Sequence, residues 1–364
     1  MRILLLNAPF ELVRSMALPD HDILALDIEP VVRLNLPCGP RCEFRQFEPR
    51  SKFDLSAIAG LRTTIQAFAP DILHAFMPRS LAIAVLATSL LQRRPPIVSF
   101  RGIIRPPSRW DPSNYVTFFS SRVALHACES NAVRDGLIRG GVAPTRCETV
   151  YNCVRAESLP RLGRGALARF GIPDNAFVVG TVAAVRPVKG IDILVRAAME
   201  TADLANLHVL VMGPVRDPSV VRLADDSRIR GRVHFTGSVP GAAAYMDGFD
   251  LFVMPSRQEG LCRALLEAMA QRVCPVVSDA GGMKELVRNG REGVVFPSED
   301  VSALARGLRQ LAADRALLRE YGEAAGQRVQ KMCSPDRMRD RVLAMYERIL
   351  GRTGQASRSA GAAA

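Results

Sequence analysis

The 364-residue chain is short of several signatures that would have decided its class at once. It has no Gly-x-x-x-x-Gly-Lys-Ser/Thr and no Gly-x-Gly-x-x-Gly, which weighs against ATPase and dehydrogenase chemistry. It has no Gly-x-Ser-x-Gly elbow, which weighs against a serine hydrolase. Aromatic residues are scarce: one Trp and five Tyr leave base stacking to 15 Phe, so no nucleic-acid partner is expected. Long apolar runs are missing too. The longest, Leu81 to Leu91, is about half a membrane span. The apolar start, Met1 to Leu6, is cut by Asn7-Ala8-Pro9 and is too short for a secretory leader. Eight Cys in such a chain are expected as reduced thiols of a cytoplasmic protein. Cys38, Cys42 and His21 have poor ligand spacing and no fourth partner, so no metal site is expected.

What is present is an ordinary globular composition, 48% hydrophobic and 23% charged. The length suggests about two domains. A net charge of +12, carried mostly by scattered Arg, predicts attraction to something acidic; by charge alone that could be nucleic acid, an anionic membrane surface or a phosphorylated substrate.

Short apolar runs alternate with helical patterns along the whole chain, which implies parallel sheets with crossover helices. Arg2–Leu6, Ile23–Leu26, Asp71–Ala75, Ile97–Phe100, Arg122–Cys128 and Thr149–Tyr151 read as strands of a first domain over residues 1–160. Helices fall at Leu55–Phe68, Leu81–Leu91 and up to Arg139. Residues 161–176, rich in Arg, Gly and Pro, read as a linker. A second series spans 177–334, with strands at Phe177–Val182, Leu207–Met212, Val233–Phe235, Leu251–Met254, Pro275–Ser278 and Gly293–Phe296. A helix over 335–350 is expected to pack back on the first domain, and 351–364 reads as a disordered tail. Two such halves predict a cleft facing the carboxyl ends of both sheets, where ligands bind.

Three strand-to-helix turns of the second half carry the candidate chemistry. In the first, Arg186 and Lys189 stand in a loop marked by Pro187 and Gly190, at a strand's carboxyl end. A guanidinium and an ammonium there could clamp a diphosphate, or be two solvated cations beside a turn. In the second, Glu259 and Glu267 bracket the turn after Leu251–Met254. On one helix they would lie roughly 80° apart, so they share no face. With Glu259 in the loop and Glu267 in the helix, both can converge on a ligand at the helix N-terminus, where exposed N–H groups favour phosphate. In the third, Gly281-Gly282 lets backbone approach a ligand or simply makes a tight turn.

In this order the stretches resemble the family-4 glycosyltransferases, also called glycosyl transferases group 1. The residues carrying the resemblance are Arg186-x-x-Lys189-Gly190, Phe235-Thr236-Gly237, Asp250 to Ser256 with Glu259-Gly260 and Glu267 to Ala270, Gly281-Gly282-x-x-Glu285, and Asn289-Gly290-x-x-Gly293. The match is dense from Phe177 to Pro297 and sparser before, at Pro70 to His74, Ser130 and Tyr151-Asn152. The resemblance implies an α/β protein of GT-B fold, two Rossmann-like domains with parallel sheets facing a cleft. It implies transfer of a sugar from a nucleoside-diphosphate sugar, with UDP the expected nucleotide, with retained configuration and without a metal or tightly bound cofactor. The expected acceptor is a saccharide or glycolipid of the bacterial envelope, such as lipopolysaccharide, at the inner face of the cytoplasmic membrane.

By residue, the resemblance implies that Glu267 binds the ribose hydroxyls and Glu259 lies near the donor sugar. Arg186 and Lys189 hold the diphosphate, with the backbone of Gly260, Leu261 and Cys262. Ser256, Gly237 and Gly282 complete the donor side. On the acceptor side the chain departs from the family: Asn7-Ala8-Pro9-Phe10 replaces a glycine turn and Arg101-Gly102 replaces His-Gly. Asn7, Arg101 and His74 are the candidates there. His126, His208 and His234 read as sheet residues. Leu81–Leu91, flanked by Arg79, Arg93 and Arg94, fits either membrane docking or a core helix. A sugar-nucleotide epimerase on the same scaffold, or a non-catalytic basic protein on membrane or nucleic acid, are the alternatives.

Overall fold

Strands that are apolar at every position need helices on both faces, and the chain supplies them. The fold is described from a computed structural model, over residues 1–18, 20–27 and 40–351. Cys38 and the tail beyond Gly351 lie outside these residues. The contacts divide the chain into two compact units, Met1–Cys153 with the segment from Pro335 onward, and Val154–Ser334.

The first unit opens with β1 (Arg2–Leu6), α1 (Phe10–Met16), β2 (Asp22–Asp27), β3 (Cys42–Gln46) and α2 (Leu55–Phe68). It continues with β4 (Ile72–Ala75), α3 (Pro78–Ser89), β5 (Ile97–Arg101), β6 (Val123–Cys128), α4 (Asn131–Arg139) and β7 (Cys147–Thr149). The seven strands form a parallel sheet in the order β3-β2-β1-β4-β5-β6-β7. Alternate residues of β1 serve opposite faces. Leu4 and Leu6 pack with Leu61, Ile65 and Ile83 of α2 and α3. Ile3 and Leu5 pack with Val13 and Met16 of α1 and with Met338, Val342 and Tyr346 of the C-terminal helix Pro335–Ile349.

Two elements of this unit, β3 and α1, escape the sequence pattern. The edge strand β3, Cys-Glu-Phe-Arg-Gln, is half polar and largely exposed, so it has no apolar run. Helix α1 follows Pro9, whose fixed φ suits a helix start as well as the turn it was read as. Helix α3 is buried from Ser80 to Val85 and at Ala87 and Thr88, so it is a core element and not a docking surface for membrane. Cys42 is disulfide-bonded, against the expectation of reduced thiols, whereas Cys128, Cys147, Cys153, Cys262, Cys274 and Cys333 are free. Among the described residues no helix is long and apolar enough to cross a membrane.

The second unit contains β8 (Phe177–Val182), α5 (Ile191–Glu200), β9 (Leu207–Met212), α6 (Pro218–Leu223), β10 (Val233–Phe235) and β11 (Leu251–Met254). Next come α7 (Arg263–Ala270), β12 (Cys274–Ser278), α8 (Met283–Leu286), β13 (Val294–Phe296), α9 (Val301–Ala313) and α10 (Arg315–Cys333). Residues 161–176, expected as a linker, fold with this unit: Leu167 is fully buried, and Arg164 Nη1 donates to the Gly248 carbonyl at 2.7 Å and to Asp250 at 2.8 Å. The six parallel strands run β10-β9-β8-β11-β12-β13. The chain leaves β8 in one direction and returns on its other side as β11. That reversal opens a crevice at the carboxyl ends of β8 and β11, the place where such sheets bind ligands.

In the first unit, His74 on β4 has no exposed surface; its Nδ1 and the Tyr346 hydroxyl are 2.7 Å apart, which ties the sheet to the C-terminal helix. Burial drives the His74 pKa from 6.5 down to about 3, and burial does the same to His126, helped by Arg146. Both rings are neutral when folded and protonate more readily when unfolded. The stability they contribute is complete above pH 6.5 and is lost as pH falls toward 3. Between pH 6.5 and 5 the first unit should lose about 2 kcal/mol for each histidine. Urea midpoints across that range check this; a flat profile would contradict it.

Candidate active site

The crevice in the second unit is bounded by the loops that follow β8, β11 and β12. Residue types fix how closely the first two approach. Gly190 sits at φ 63°, and a Cβ there would stand 2.0 Å from the Pro255 carbonyl oxygen. Only glycine satisfies both the left-handed backbone and that contact. The Arg257 N–H donates to the Val188 carbonyl at 2.9 Å, locking the β11 loop to the β8 loop.

Glu259 lies in the loop and Glu267 in α7, so the two carboxylates are divided between turn and helix. Lys189 Nζ donates to Glu259 Oε2 at 2.5 Å, and both side chains are largely shielded. Ser256, fully buried, donates from Oγ to the same carboxylate oxygen at 3.2 Å, and its own carbonyl accepts from Ser278 Oγ at 2.6 Å. The α7 N-terminus receives no side-chain cap from Cys262. Its first N–H groups therefore add positive potential beside Gly260 and Leu261. Burial, reinforced by Glu259, pushes the Cys262 thiol up to about 12, so it stays protonated. Glu267 is partly shielded and accepts from Arg263 Nε at 3.0 Å. Arg186 stands exposed on the β8 loop.

The glycine pair does something other than reach outward. Gly281, at φ 72°, would place a Cβ 1.9 Å from the Glu259 carbonyl oxygen, and the Gly282 N–H donates to that oxygen at 3.1 Å. Gly282 thus spends its N–H on fixing Glu259. Gly237, at φ 68°, accepts from the Gly213 N–H at 2.8 Å, closing the loops after β9 and β10.

Arg257 was not singled out by the sequence. Its Nη1 and Nη2 donate to the two carboxylate oxygens of Asp192 at 2.8 and 2.9 Å, and Nη1 reaches the Pro187 carbonyl at 2.6 Å. Nε and Nη2 contact both oxygens of Glu299, a residue held at φ 73°. The guanidinium holds Asp192 below the usual carboxylate range, and its own pKa is raised in return. The partners lie 65 residues before it and 42 after it, a separation with no local signal.

The acceptor-side candidates are distributed unevenly in the first unit. Asn7, after β1, adopts φ 54°, a left-handed conformation that Asn tolerates better than most residues. It donates to Asp27 at 3.3 Å and accepts from Ser80, and it lines a cavity of about 640 Å³ shared with Arg50, Lys52 and Arg79. His74 does not reach any such opening, because it is enclosed against Tyr346. Arg101 is also enclosed. Its guanidinium lies 4.2 Å from the Phe118 ring centroid and donates to the carbonyls of Ile103, at 3.0 Å, and Arg105. These contacts fasten the loop after β5.

Residues 166–328 match the family model described as Glycosyl transferases group 1, and residues 17–158 match that described as Glycosyltransferase Family 4. The chain belongs to the family-4 glycosyltransferases. It is 32% identical over 199 residues to a lipopolysaccharide core biosynthesis mannosyltransferase, LpcC, of Rhizobium leguminosarum bv. viciae, covering 53% of this chain and 56% of that one. It is 30% identical over 259 residues to a D-inositol 3-phosphate glycosyltransferase of Mycobacterium bovis, covering 68% and 52%. The chain thus spans about half the length of the curated relatives it matches. The crystal structure of Anabaena HepE in complex with UDP shares the fold, with a TM-score of 0.78 at 20% identity over 96% of this chain and 100% of that one. The fold of this family-4 member is GT-B.

Because Arg257 joins three loops with charge-assisted hydrogen bonds, Arg257→Ala should lower the stability of the second unit by about 1–3 kcal/mol. A urea midpoint equal to that of the unaltered protein would contradict the clamp.

Proposed function

We propose that this family-4 member is a retaining, metal-independent glycosyltransferase that moves a sugar from a UDP-sugar to a saccharide or glycolipid acceptor in bacterial envelope synthesis. The observation that carries the reading is the Lys189–Glu259 pair beside the uncapped N-terminus of the helix bearing Glu267. An ammonium has three donors, and one is spent on Glu259, leaving two for a diphosphate. Arg186, exposed one turn earlier, supplies a second cation. Both cations act on charge that grows as the sugar–phosphate bond breaks, so they stabilise the transition state more than the bound donor.

In this reading Glu267 accepts hydrogen bonds from the ribose hydroxyls, exchanging the exposed Arg263 for the ligand. Glu259, whose carboxylate is steadied by Lys189 and Ser256, faces the donor sugar. The N–H groups of Gly260, Leu261 and Cys262 line the diphosphate. The departing diphosphate takes the acceptor proton from the face it leaves, which is how configuration is retained without a protein base. UDP is supported by the HepE likeness and an envelope acceptor by the likeness to LpcC. A peripheral position on the inner face of the cytoplasmic membrane follows from a lipid-linked acceptor and the net charge of +12.

Glu267→Ala should weaken UDP binding roughly 10- to 100-fold, the size of a lost hydrogen bond to a charged group, while circular dichroism stays unchanged. Calorimetry decides it: an unaltered affinity would remove Glu267 from the nucleotide site.

A further inference from the structure

The cavity of about 640 Å³ beside Asn7 lies at the carboxyl ends of β1, β3 and β4, the end of a parallel sheet where ligands bind. Its volume falls within the range of small-molecule sites, about 300–1,000 Å³. All of its described lining belongs to the first unit. Arg50, Lys52 and Arg79 line it against one carboxylate among the described lining residues, Glu48. The contacts that hold two of these cations are neutral. Lys52 Nζ donates to Ser113 Oγ at 2.7 Å, and Arg79 Nη1 to the Pro49 carbonyl at 2.9 Å. An ammonium has three donors and a guanidinium five, so most of theirs are left for a ligand. Arg50 is exposed, and the adjoining Asp54 spends its carboxylate on the N–H groups of Arg50 and Ala57, at 2.9 and 3.1 Å.

Helix α3 adds to the positive potential. Met77 gives it no side-chain cap, and Pro78 has no N–H, so the N–H groups of Arg79 and Ser80 are its first donors. Three cations around one opening repel one another in the free protein, a cost that an anion relieves. The rest of the lining is mixed: Phe47, Pro49 and Met77 are apolar, and Asn7 and Ser51 carry polar tips. A pyranose presents the complementary mixture of C–H faces and hydroxyl edges. A nucleic-acid strand is disfavoured, because the one aromatic ring among the described lining residues, Phe47, is buried and offers no stacking platform.

We infer that this cavity receives the acidic group of the acceptor saccharide, a carboxylate or a phosphate monoester, and that Arg50, Lys52 and Arg79 select it. The inference deepens the proposed function and rests on it for the ligand's role as acceptor. A neutral saccharide would leave the three cations uncompensated, so the same residues that hold an acidic acceptor discriminate against a neutral one.

Glucose 6-phosphate, glucuronate and glucose share one ring and differ at C6, so together they isolate the charge. Each is titrated into the full chain by calorimetry at low salt, with inorganic phosphate alongside. At least one of the two acidic sugars should bind roughly tenfold more tightly than glucose, and added salt should weaken it. A preference for glucose 6-phosphate assigns the group as a phosphate, and a preference for glucuronate assigns it as a carboxylate. Arg50→Gln and Arg79→Gln should each weaken that sugar roughly tenfold, the size of a lost charged hydrogen bond, whereas Lys189→Ala should leave it unchanged. Arg50 is exposed, so its variant keeps the fold. Glucose binding as tightly as the acidic sugars, no binding of either acidic sugar, or inorganic phosphate binding as tightly as glucose 6-phosphate would each overturn the inference. So would a loss in Lys189→Ala that Arg50→Gln does not share, which would move the anion to the second unit. UDP titrated into the same proteins keeps the two readings apart: failure here leaves UDP affinity unaltered, and loss of UDP binding leaves the sugar result standing.

Discussion

The second unit depends on how the loop between β11 and α7 is held. A loop carrying a carboxylate to a helix N-terminus would relax into solvent unless its backbone were fixed from several sides. Here Gly190 lies under the Pro255 carbonyl, Gly281 and Gly282 close on the Glu259 carbonyl, and Arg257 reaches Asp192 and Glu299. Each contact needs its residue type: glycine where a Cβ would collide, arginine where planar bidentate pairing joins two carboxylates. The Lys189–Glu259 pair is the product of that frame. Its ammonium and carboxylate are held together by that frame, which is the preorganisation that the proposed electrostatic catalysis requires.

The first unit is built with less constraint at the carboxyl ends of its strands. Its sheet is packed on both faces, and His74, His126 and Arg101 are buried in that packing. What remains available is the turn after β1, the basic segment after β3 and the start of α3. Asn7 shows how the chain manages without the family's glycines: it takes the left-handed turn itself and uses its amide to bridge Asp27 and Ser80. A cavity of about 640 Å³ opens beside it, lined on its far side by Arg50, Lys52 and Arg79.

Much of this was legible in the sequence, for identifiable reasons. Non-alternating runs such as Leu207–Met212 and Leu251–Met254 give buried parallel strands because every position must be apolar. Helix geometry excluded a shared face for Glu259 and Glu267, and the resemblance supplied their division between loop and helix. What was hidden shares a different cause. Strand β3 is an edge strand whose polar residues face water, so its pattern resembles a loop. Residues 161–176 look like a linker in composition, yet Arg164 and Leu167 anchor them, and anchoring depends on partners some 80 positions away. Arg257 was hidden likewise. His74 and Arg101 stand at strand ends where ligands bind, but burial of a side chain cannot be read from its position along the strand.

The central claim is that the second unit is a nucleotide-sugar site built on Lys189 and Glu259. It is tested most directly by following donor hydrolysis with matched UDP-, GDP- and ADP-sugars, including GDP-mannose because LpcC is a mannosyltransferase. The expected result is turnover of a UDP-sugar by the unaltered protein and its loss in Lys189→Ala. Turnover that survives in Lys189→Ala, or none with any of the three nucleotides, would contradict the claim.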